Sequence, residues 1–518
     1  MGAAAGPGLA RFGLRSSPES PAAAPIQHLF LEKKAKQFQP VHSKRPPKYY
    51  LCSMANQALP LTPPKGMRDF GAEEMRKRRF IFERLRNVFL TFGFEGIETP
   101  SMERMEVLTG KYGQEGDRLI FKVLNSGDFM KAVQEAQLPE PNSKQMLGLI
   151  CEKALRYDLT IPFARFVSAH RGTLPFPFKR HQIQAVWRAD QPQKGRYREF
   201  YQCDVDVVGS RSLWQEVELV RVFAEGFAAL GIEGAQIQIN HRGLLMGLAE
   251  RLEMPKRAAA LIGILDKSDK LATESLLDLF RKEGLSEAQL ALLDPLLNWL
   301  PGTLPEAIKP LFAGLSDAEK GIEELELVFD RCLDLGSLPG KASLVFNPRL
   351  ARGLDYYTGC IFEVLLPGSG LGSLGGGGRY DNLTDMFGVP DLSGVGISFG
   401  AERIYDYLQA QHSWPEDLQT GLDYFFLHFD EEGAKAAQRF MVKLRGLGAR
   451  CDMFPEAVKI QKQMKYANQR QAKFVVSIGD RERENQEVGI KNMQTGVQHT
   501  VFWEDLPQHF RSEAYAAG

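Results

Sequence analysis

The stretch from Lys179 to Gly209 constrains the fold more than any other. Q-I-Q-A-V-W-R and E-F-Y-Q-C-D-V-D-V-V-G alternate at the period of two that strands require, and the basic loop from Asp190 to Tyr197 joins them as a β-hairpin. Within it, Val186 to Asp206 crowds arginines, carboxylates and aromatics between strand-like apolar residues. Cores rarely tolerate such density, because each buried charge needs a partner or costs several kcal/mol. A second block has the same mixture: R-G-L-D-Y-Y-T-G from Arg352 to Gly359, followed by G-G-G-G-R-Y-D from Gly375 to Asp381. Both blocks suit one site that holds a polyanion together with an amino acid.

The residue types point to that chemistry. Guanidinium forks at Arg188, Arg196 and Arg198 match phosphate oxygens. Phe200 offers a face for a purine. Gln202 and Asp206, four apart, leave the same face of an extended strand and suit the two ends of a polar substrate. A surface hairpin with cross-strand ion pairs, each worth under ~1 kcal/mol, is the plainer alternative. R-Y-D-L-T, read as extended, puts Asp158 beside Thr160 for a substrate ammonium, with a strand-end turn as the alternative. In R-G-L-D-Y-Y, Arg352 shares a face with Tyr356, and Asp355 with Tyr357, if the segment is extended. Gly370 to Gly375 matches G-x-G-x-x-G, but no amphipathic helix follows, so it reads as a turn between antiparallel strands. G-V-G-I-S-F runs through Gly400 into a helix and places Arg403 near its N-terminus, where a phosphate would sit.

At 518 residues the chain is expected to hold about two to four domains. Zero net charge argues against coating nucleic acid through a bulk field, although local basic patches remain. Six cysteines without C-x-x-C pairing fit reduced structural thiols. Histidines lack zinc-site spacing, so no protein-ligated transition metal is expected. No apolar run reaches the ~18 residues of a membrane span.

Residues 54–210 and 344–410 carry the two blocks, and the Leu- and Ala-rich stretch 211–343 between them reads as an inserted helical module. A polar linker, 411–420, precedes a small α/β domain over 421–518. There Lys459, Lys462, Lys465, Arg470 and Lys473 form a basic stripe suited to an RNA backbone. Residues 1–53 have only Glu19 and Glu32 as acids. They read as a disordered extension ahead of a start at Met54, with an organellar transit peptide as the alternative.

Taken in order, these motifs resemble those of the histidyl-tRNA synthetase family of class II aminoacyl-tRNA synthetases. G-I-E-T-P, ending at Pro100, is similar to the family's dimer-interface motif 1. Val186–Asp206 resembles motif 2, and G-V-G-I-S-F-G-A-E-R-I resembles motif 3. R-G-L-D-Y-Y-T-G and G-G-G-R-Y-D resemble the histidine-specific motifs, and K-Q-M-K-Y-A-N and K-N-M-Q-T-G the anticodon-binding domain. The resemblance implies an α+β fold: an antiparallel six-stranded sheet flanked by helices, a helical insertion and a C-terminal α/β domain, in a cytoplasmic homodimer without membrane contact. It implies a ligase that joins L-histidine to tRNA(His) using ATP with Mg2+.

By position, Arg188 and Arg352 are the implied catalytic residues. Asp158, Thr160, Gln202, Asp206, Arg352, Tyr356, Tyr357 and Tyr380 would hold histidine. Arg188, Asp190, Arg196, Phe200 and Arg403 would hold ATP, and Gln193 and Arg198 would meet the tRNA acceptor end. Two features depart from the family pattern: Asp190 stands where glutamate is common, and the stretch between Asn125 and Ala154 is longer than a minimal member needs. The family's non-catalytic paralogue, a partner of ATP phosphoribosyltransferase, is the alternative reading.

Overall fold

A computed structural model describes residues 59–516, apart from 111, 137–141, 194, 269, 300–304, 352–355, 416–417 and 419–420. Its largest sheet contains β1 (Glu95–Gly96), β2 (Phe178–Trp187), β3 (Glu199–Val208), β4 (Gln236–His241), β5 (Ser343–Phe346), β6 (Cys360–Leu365), β7 (Gly375–Tyr380) and β8 (Gly394–Gly400). The order across the sheet is β1-β2-β3-β8-β7-β6-β4-β5. The six strands from β2 to β4 are antiparallel throughout, as the family resemblance implies. A parallel strand is added at each edge, β1 on β2 and β5 on β4, so the sheet has eight strands rather than six.

Two further differences concern where elements begin. The segment 211–343 is not wholly helical: it supplies β4, and its first helix, α3 (Trp214–Ala229), packs on the sheet beside α1 (Ala72–Thr91). Short β-branched Gln236–His241 is hard to detect between long leucine-rich helices, because its pattern spans too few residues. Nor is Arg156–Ile161 extended; the strand ends at Leu155, and α2 (Thr160–His170) starts at Thr160. In the long stretch after Asn125, helices Lys131–Glu135 and Ser143–Ile150 precede Lys153–Leu155, the middle strand of a small three-stranded sheet.

Alternation along the strands gives the large sheet two different faces. Cys203, Val205 and Val207 of β3 and Phe399 of β8 turn into the main core. Phe399 meets Phe223 and Phe227 of α3 at ring-centroid distances of 5.0 and 5.3 Å, and Phe89 of α1 at 5.8 Å. The intervening residues Gln202, Asp204, Asp206 and Ser398 must then face the other way. Phe163 of α2, Phe178, Val208 and Tyr380 form a smaller core on that side.

Beyond β4, α4 (Arg242–Arg251) and α5 (Ser316–Asp334) bracket the short helices of the inserted stretch. The Gly370–Gly375 motif leads into β7, an antiparallel strand, and not into a helix. After α6 (Ala401–Ala410), the C-terminal unit has β9 (Leu422–Leu427), β10 (Cys451–Met453), β11 (Ala472–Ser477), β12 (Glu487–Asn492) and β13 (Gln498–Phe502), ordered β10-β9-β11-β12-β13. Phe440 and Leu444 of α7 (Glu431–Gly446) pack against Phe426, and Ala467 of α8 (Ile460–Gln469) joins the core of Phe425 and Val475.

Candidate active site

On the polar face, β2 and β3 pair Arg180 with Asp206, Gln182 with Asp204 and Gln184 with Gln202. Arg180 Nη2 lies 2.6 Å from Asp206 Oδ2, and its guanidinium covers the Phe163 ring at 4.5 Å. Tyr380 donates its hydroxyl to Asp206 Oδ1 at 2.6 Å. Burial pushes the Asp206 carboxyl above its ordinary range, and Arg180 and Tyr380 oppose that rise. The motif 3 glycines make room for this group: a Cβ on Gly396 would stand 2.0 Å from Asp206 Oδ1.

Asp158 enters from the turn before α2. Its Oδ1 accepts from the Ile161 N–H at 3.2 Å and the Tyr112 hydroxyl at 2.9 Å, and its Oδ2 from the Tyr356 hydroxyl at 3.2 Å. A helix start, rather than a strand, therefore brings Asp158 and Thr160 together. Burial raises the Asp158 pKa, whereas these donors lower it. Thr160 also hydrogen-bonds Tyr356. Tyr356 stands edge-on to Tyr357 at 5.0 Å and to Tyr380 at 6.1 Å. Tyr357 lies against β7 where Gly378 leaves space, since a Cβ there would come within 2.8 Å of the ring.

A cavity of about 590 Å³ opens beside this group, lined by Arg188, Asp190, Arg196, Phe200, Gln202, Tyr357, Ser398 and Arg403, among others. Arg188 donates through Nε to the Tyr157 carbonyl at 3.0 Å and lies 5.1 Å from the Phe200 ring centroid. Arg403 reaches the carbonyls of Ser373, at 2.6 Å, and Gly195, at 3.2 Å, and so ties α6 to the hairpin loop. Arg196 Nε pairs with Asp190 Oδ2 at 3.0 Å. Asp158, Thr160, Asp206, Tyr356 and Tyr380 stand one layer back, reached through Tyr357. The inserted helical stretch reaches the rim with Asp266 and Lys270.

Arg352 and Asp355 lie outside the described residues. Gln193 and Arg196 exchange backbone hydrogen bonds that narrow the hairpin loop, and the Arg198 guanidinium turns inward to the carbonyls of Asp190 and Lys65. Pro100 is exposed, and its carbonyl accepts from Arg156 at 3.2 Å. Among the described residues, His241, Glu324 and Cys360 place potential ligand atoms within 4.8 Å of one another, away from the cavity. His241 Nδ1 accepts the Gly243 N–H, so Nε2 carries the proton that faces Glu324. That geometry is a hydrogen bond rather than an open metal site.

Arg180, Asp204, Ser398 and Tyr112 belong to this constellation but do not stand out in the motifs. Once the hairpin register is set, Arg180 must oppose Asp206 and Gln182 must oppose Asp204, so the alternation of K-R-H-Q held the signal for them. Tyr112 comes from a distant helix-rich segment and had no local signal.

Residues 138–404 match the family model described as histidyl-tRNA synthetase, and residues 425–513 match that of the anticodon binding domain. The first match alone covers more than half of the chain. The chain belongs to the histidyl-tRNA synthetase family. The family match contains both sequence blocks and ends just past Arg403. A relative from Porphyromonas gingivalis, named histidine–tRNA ligase, is 47% identical over 441 residues, which are 85% of this chain and 96% of the relative. One of the same name from Bacteroides fragilis is 45% identical, covering 86% of this chain and 97% of its own length. The solved histidyl-tRNA synthetase from Nostoc superposes with a TM-score of 0.72 at 27% identity, over 88% of this chain and all of that one. A Bacillus halodurans structure titled as an ATP phosphoribosyltransferase regulatory subunit/histidyl-tRNA synthetase shares the fold, with a TM-score of 0.63 at 21% identity.

Proposed function

We propose that this chain activates L-histidine with ATP, forming histidyl-adenylate and pyrophosphate, and then transfers the histidyl group to the 3′ end of tRNA(His). The observation that carries the reading is convergence. Arg188, Phe200 and Arg403, suited to a nucleotide, share one cavity with Gln202 and Tyr357, behind which stand the carboxylates Asp158 and Asp206. Membership of a family whose relatives are named histidine–tRNA ligase supports it.

In this reading Phe200 stacks on adenine, Arg188 holds the α-phosphate, and Arg196 and Arg403 hold the outer phosphates. Asp158, Thr160 and Gln202 hold the α-ammonium. Asp206 and Tyr357 read the imidazole, with Tyr380 and Tyr356 fixing the carboxylates. Arg352 bridges the substrate carboxylate and the α-phosphate. The histidine carboxylate attacks the α-phosphorus and pyrophosphate leaves, so positioned cations suffice and no side-chain base is needed. Polar partners at both imidazole nitrogens discriminate strongly, because an apolar competitor would leave them buried and unpaired.

Mg2+ bound with ATP would offset the charge of the phosphates. Of the carboxylates lining the cavity, Asp190 is paired with Arg196 and Glu402 with Arg68 and Arg78, which suits an ion held mainly by phosphate and water. Gln193 and Arg198 of the hairpin loop meet the tRNA acceptor end. A homodimer in the cytoplasm completes the proposal, with the exposed Pro100 segment at its interface; no described helix is long and apolar enough to cross a membrane. The test is ATP–pyrophosphate exchange across the amino acids. Stimulation by histidine alone is expected, and no stimulation by histidine overturns the proposal.

A further inference from the structure

We infer that Asp204 is a positioning residue for the amino-acid pocket: acting through Ser398, it fixes the side-chain amide of Gln202 so that the carbonyl oxygen faces the substrate. The inference rests on the reading of Gln202 as a holder of the α-ammonium.

Hydrogen-bond direction carries the argument. Gln202 donates Nε2 to Ser398 Oγ at 3.3 Å. Ser398 sits in register with Asp204 on the neighbouring strand, and its hydroxyl favours the ionised form of that carboxylate. A hydroxyl has one proton, and an ionised carboxylate only accepts. The chain can therefore run only from Gln202 through Ser398 to Asp204. That leaves Gln202 Oε1 as the other end of the amide, and this oxygen is buried without a protein partner. A lone buried carbonyl oxygen at a cavity wall is what an ammonium requires. Without an anion behind Ser398, the amide can flip so that the hydroxyl donates to Oε1, and the acceptor is lost.

Asp204 itself has no other evident use. It is 2% exposed, and its Oδ1 has no hydrogen-bond partner. The nearest guanidinium, Arg180, stands 3.9 Å away and is already committed to Asp206 at 2.6 Å. The groups that face it are Arg180 and Gln182 on β2, Asp206 on its own strand, Ser398 on β8, and Asp158 from the turn before α2. Burial and the two neighbouring carboxylates push its pKa up to about 7, against Arg180 and Ser398. Protonation reverses the chain, because a neutral carboxyl can donate to Ser398.

The test is pyrophosphate exchange by the full-length protein with Asp204→Asn, Ser398→Ala and the double variant. At pH 8 each single change should raise the histidine KM about tenfold and leave the ATP KM within about twofold, the size expected for one charge-assisted hydrogen bond. Since the two residues act through one chain, the double variant should be no worse than either single. From pH 8 to 6 the wild-type histidine KM should rise more than that of Asp204→Asn; the titration of free histidine is common to both and cancels in the ratio. Multiplicative effects, equal rises in both KM values, or unchanged histidine KM would overturn the relay. Ser398→Ala, the loss of one half-buried oxygen, carries the test if Asp204→Asn folds poorly. Wild-type protein without histidine-dependent exchange would overturn the functional reading and the relay with it, whereas normal wild-type exchange with unaffected variants overturns the relay alone.

Discussion

Arg180 and Asp206 face each other across β2 and β3, Nη2 to Oδ2 at 2.6 Å, with side chains 0% and 3% exposed. Breaking such a pair from one side leaves a buried charge unmatched, at a cost of about 3–5 kcal/mol, whereas replacing both partners by apolar residues can be nearly neutral. Arg180→Leu should therefore lose about that much in urea unfolding. Adding Asp206→Leu should recover much of the stability without restoring histidine-dependent exchange. A double variant as unstable as the single one would show that the pair is not what matters.

Asp204 gives the stability a pH dependence of known sign. Its carboxyl is raised from 3.8 to about 7 in the folded state. Between those values the folded chain holds a proton that the unfolded chain has released, so Asp204 withdraws stability as pH rises through the window. The loss is complete above about pH 7 and amounts to at most about 4 kcal/mol. Asp204→Asn lacks this term. Denaturant titrations of the two proteins at pH 4.5, 6 and 7.5 should show the variant gaining steadily on the wild type, and parallel curves would refute the assignment.

The site was legible where its chemistry is local, and less so where it depends on pairing. The hairpin, Gln202 with Asp206 on one face, and the strand-to-helix passage through Gly400 follow from periodicity and glycine placement. Arg180 and Asp204 gain their roles only from register, because each looks like ordinary strand alternation until its partner is known. β4 escaped because six residues between long helices give too short a pattern. Alternation puts Asp158 and Thr160 on one face of a strand, yet the chain there is not extended. Their meeting is set by the Asp158 side chain accepting from the Ile161 N–H, a helix-start geometry that alternation imitates.

Gly396 is required by close approach rather than by turn geometry. Alanine there would put a methyl 2.0 Å from Asp206 Oδ1 and 3.0 Å from the Val205 carbonyl. Neither neighbour is at the end of a flexible chain, so Asp206 must leave Arg180 or Tyr380. Gly396→Ala is expected to cost about 1–3 kcal/mol in stability and to raise the histidine KM more than the ATP KM in exchange assays. Equal effects on both substrates would point to general damage.

Arg188 separates charge from geometry. It is anchored by the Tyr157 carbonyl and lies over the Tyr157 ring at 4.3 Å, which aims a planar fork into the cavity. Arg188→Lys keeps the charge but cannot make the bidentate contact. Loss of a preorganised donor to developing charge should lower kcat for exchange by about 10²-fold or more. An unchanged kcat would remove Arg188 from the reacting phosphate.

The tail helix makes a prediction independent of the adenylate chemistry. Lys459, Lys462 and Lys465 are exposed at and along α8, while Gln463 and Ala467 on its other side are buried. Arg470 does not extend this stripe, because it is drawn to Asp452 and to the Tyr466 hydroxyl, each at 2.7 Å. Replacing the three lysines by alanine should leave pyrophosphate exchange unchanged and raise the tRNA KM in aminoacylation. If each lysine neutralises one phosphate of a single-stranded loop, the slope of log affinity against log salt should fall by about 2. A tRNA affinity and salt slope equal to those of the wild type would move the RNA contact off this helix.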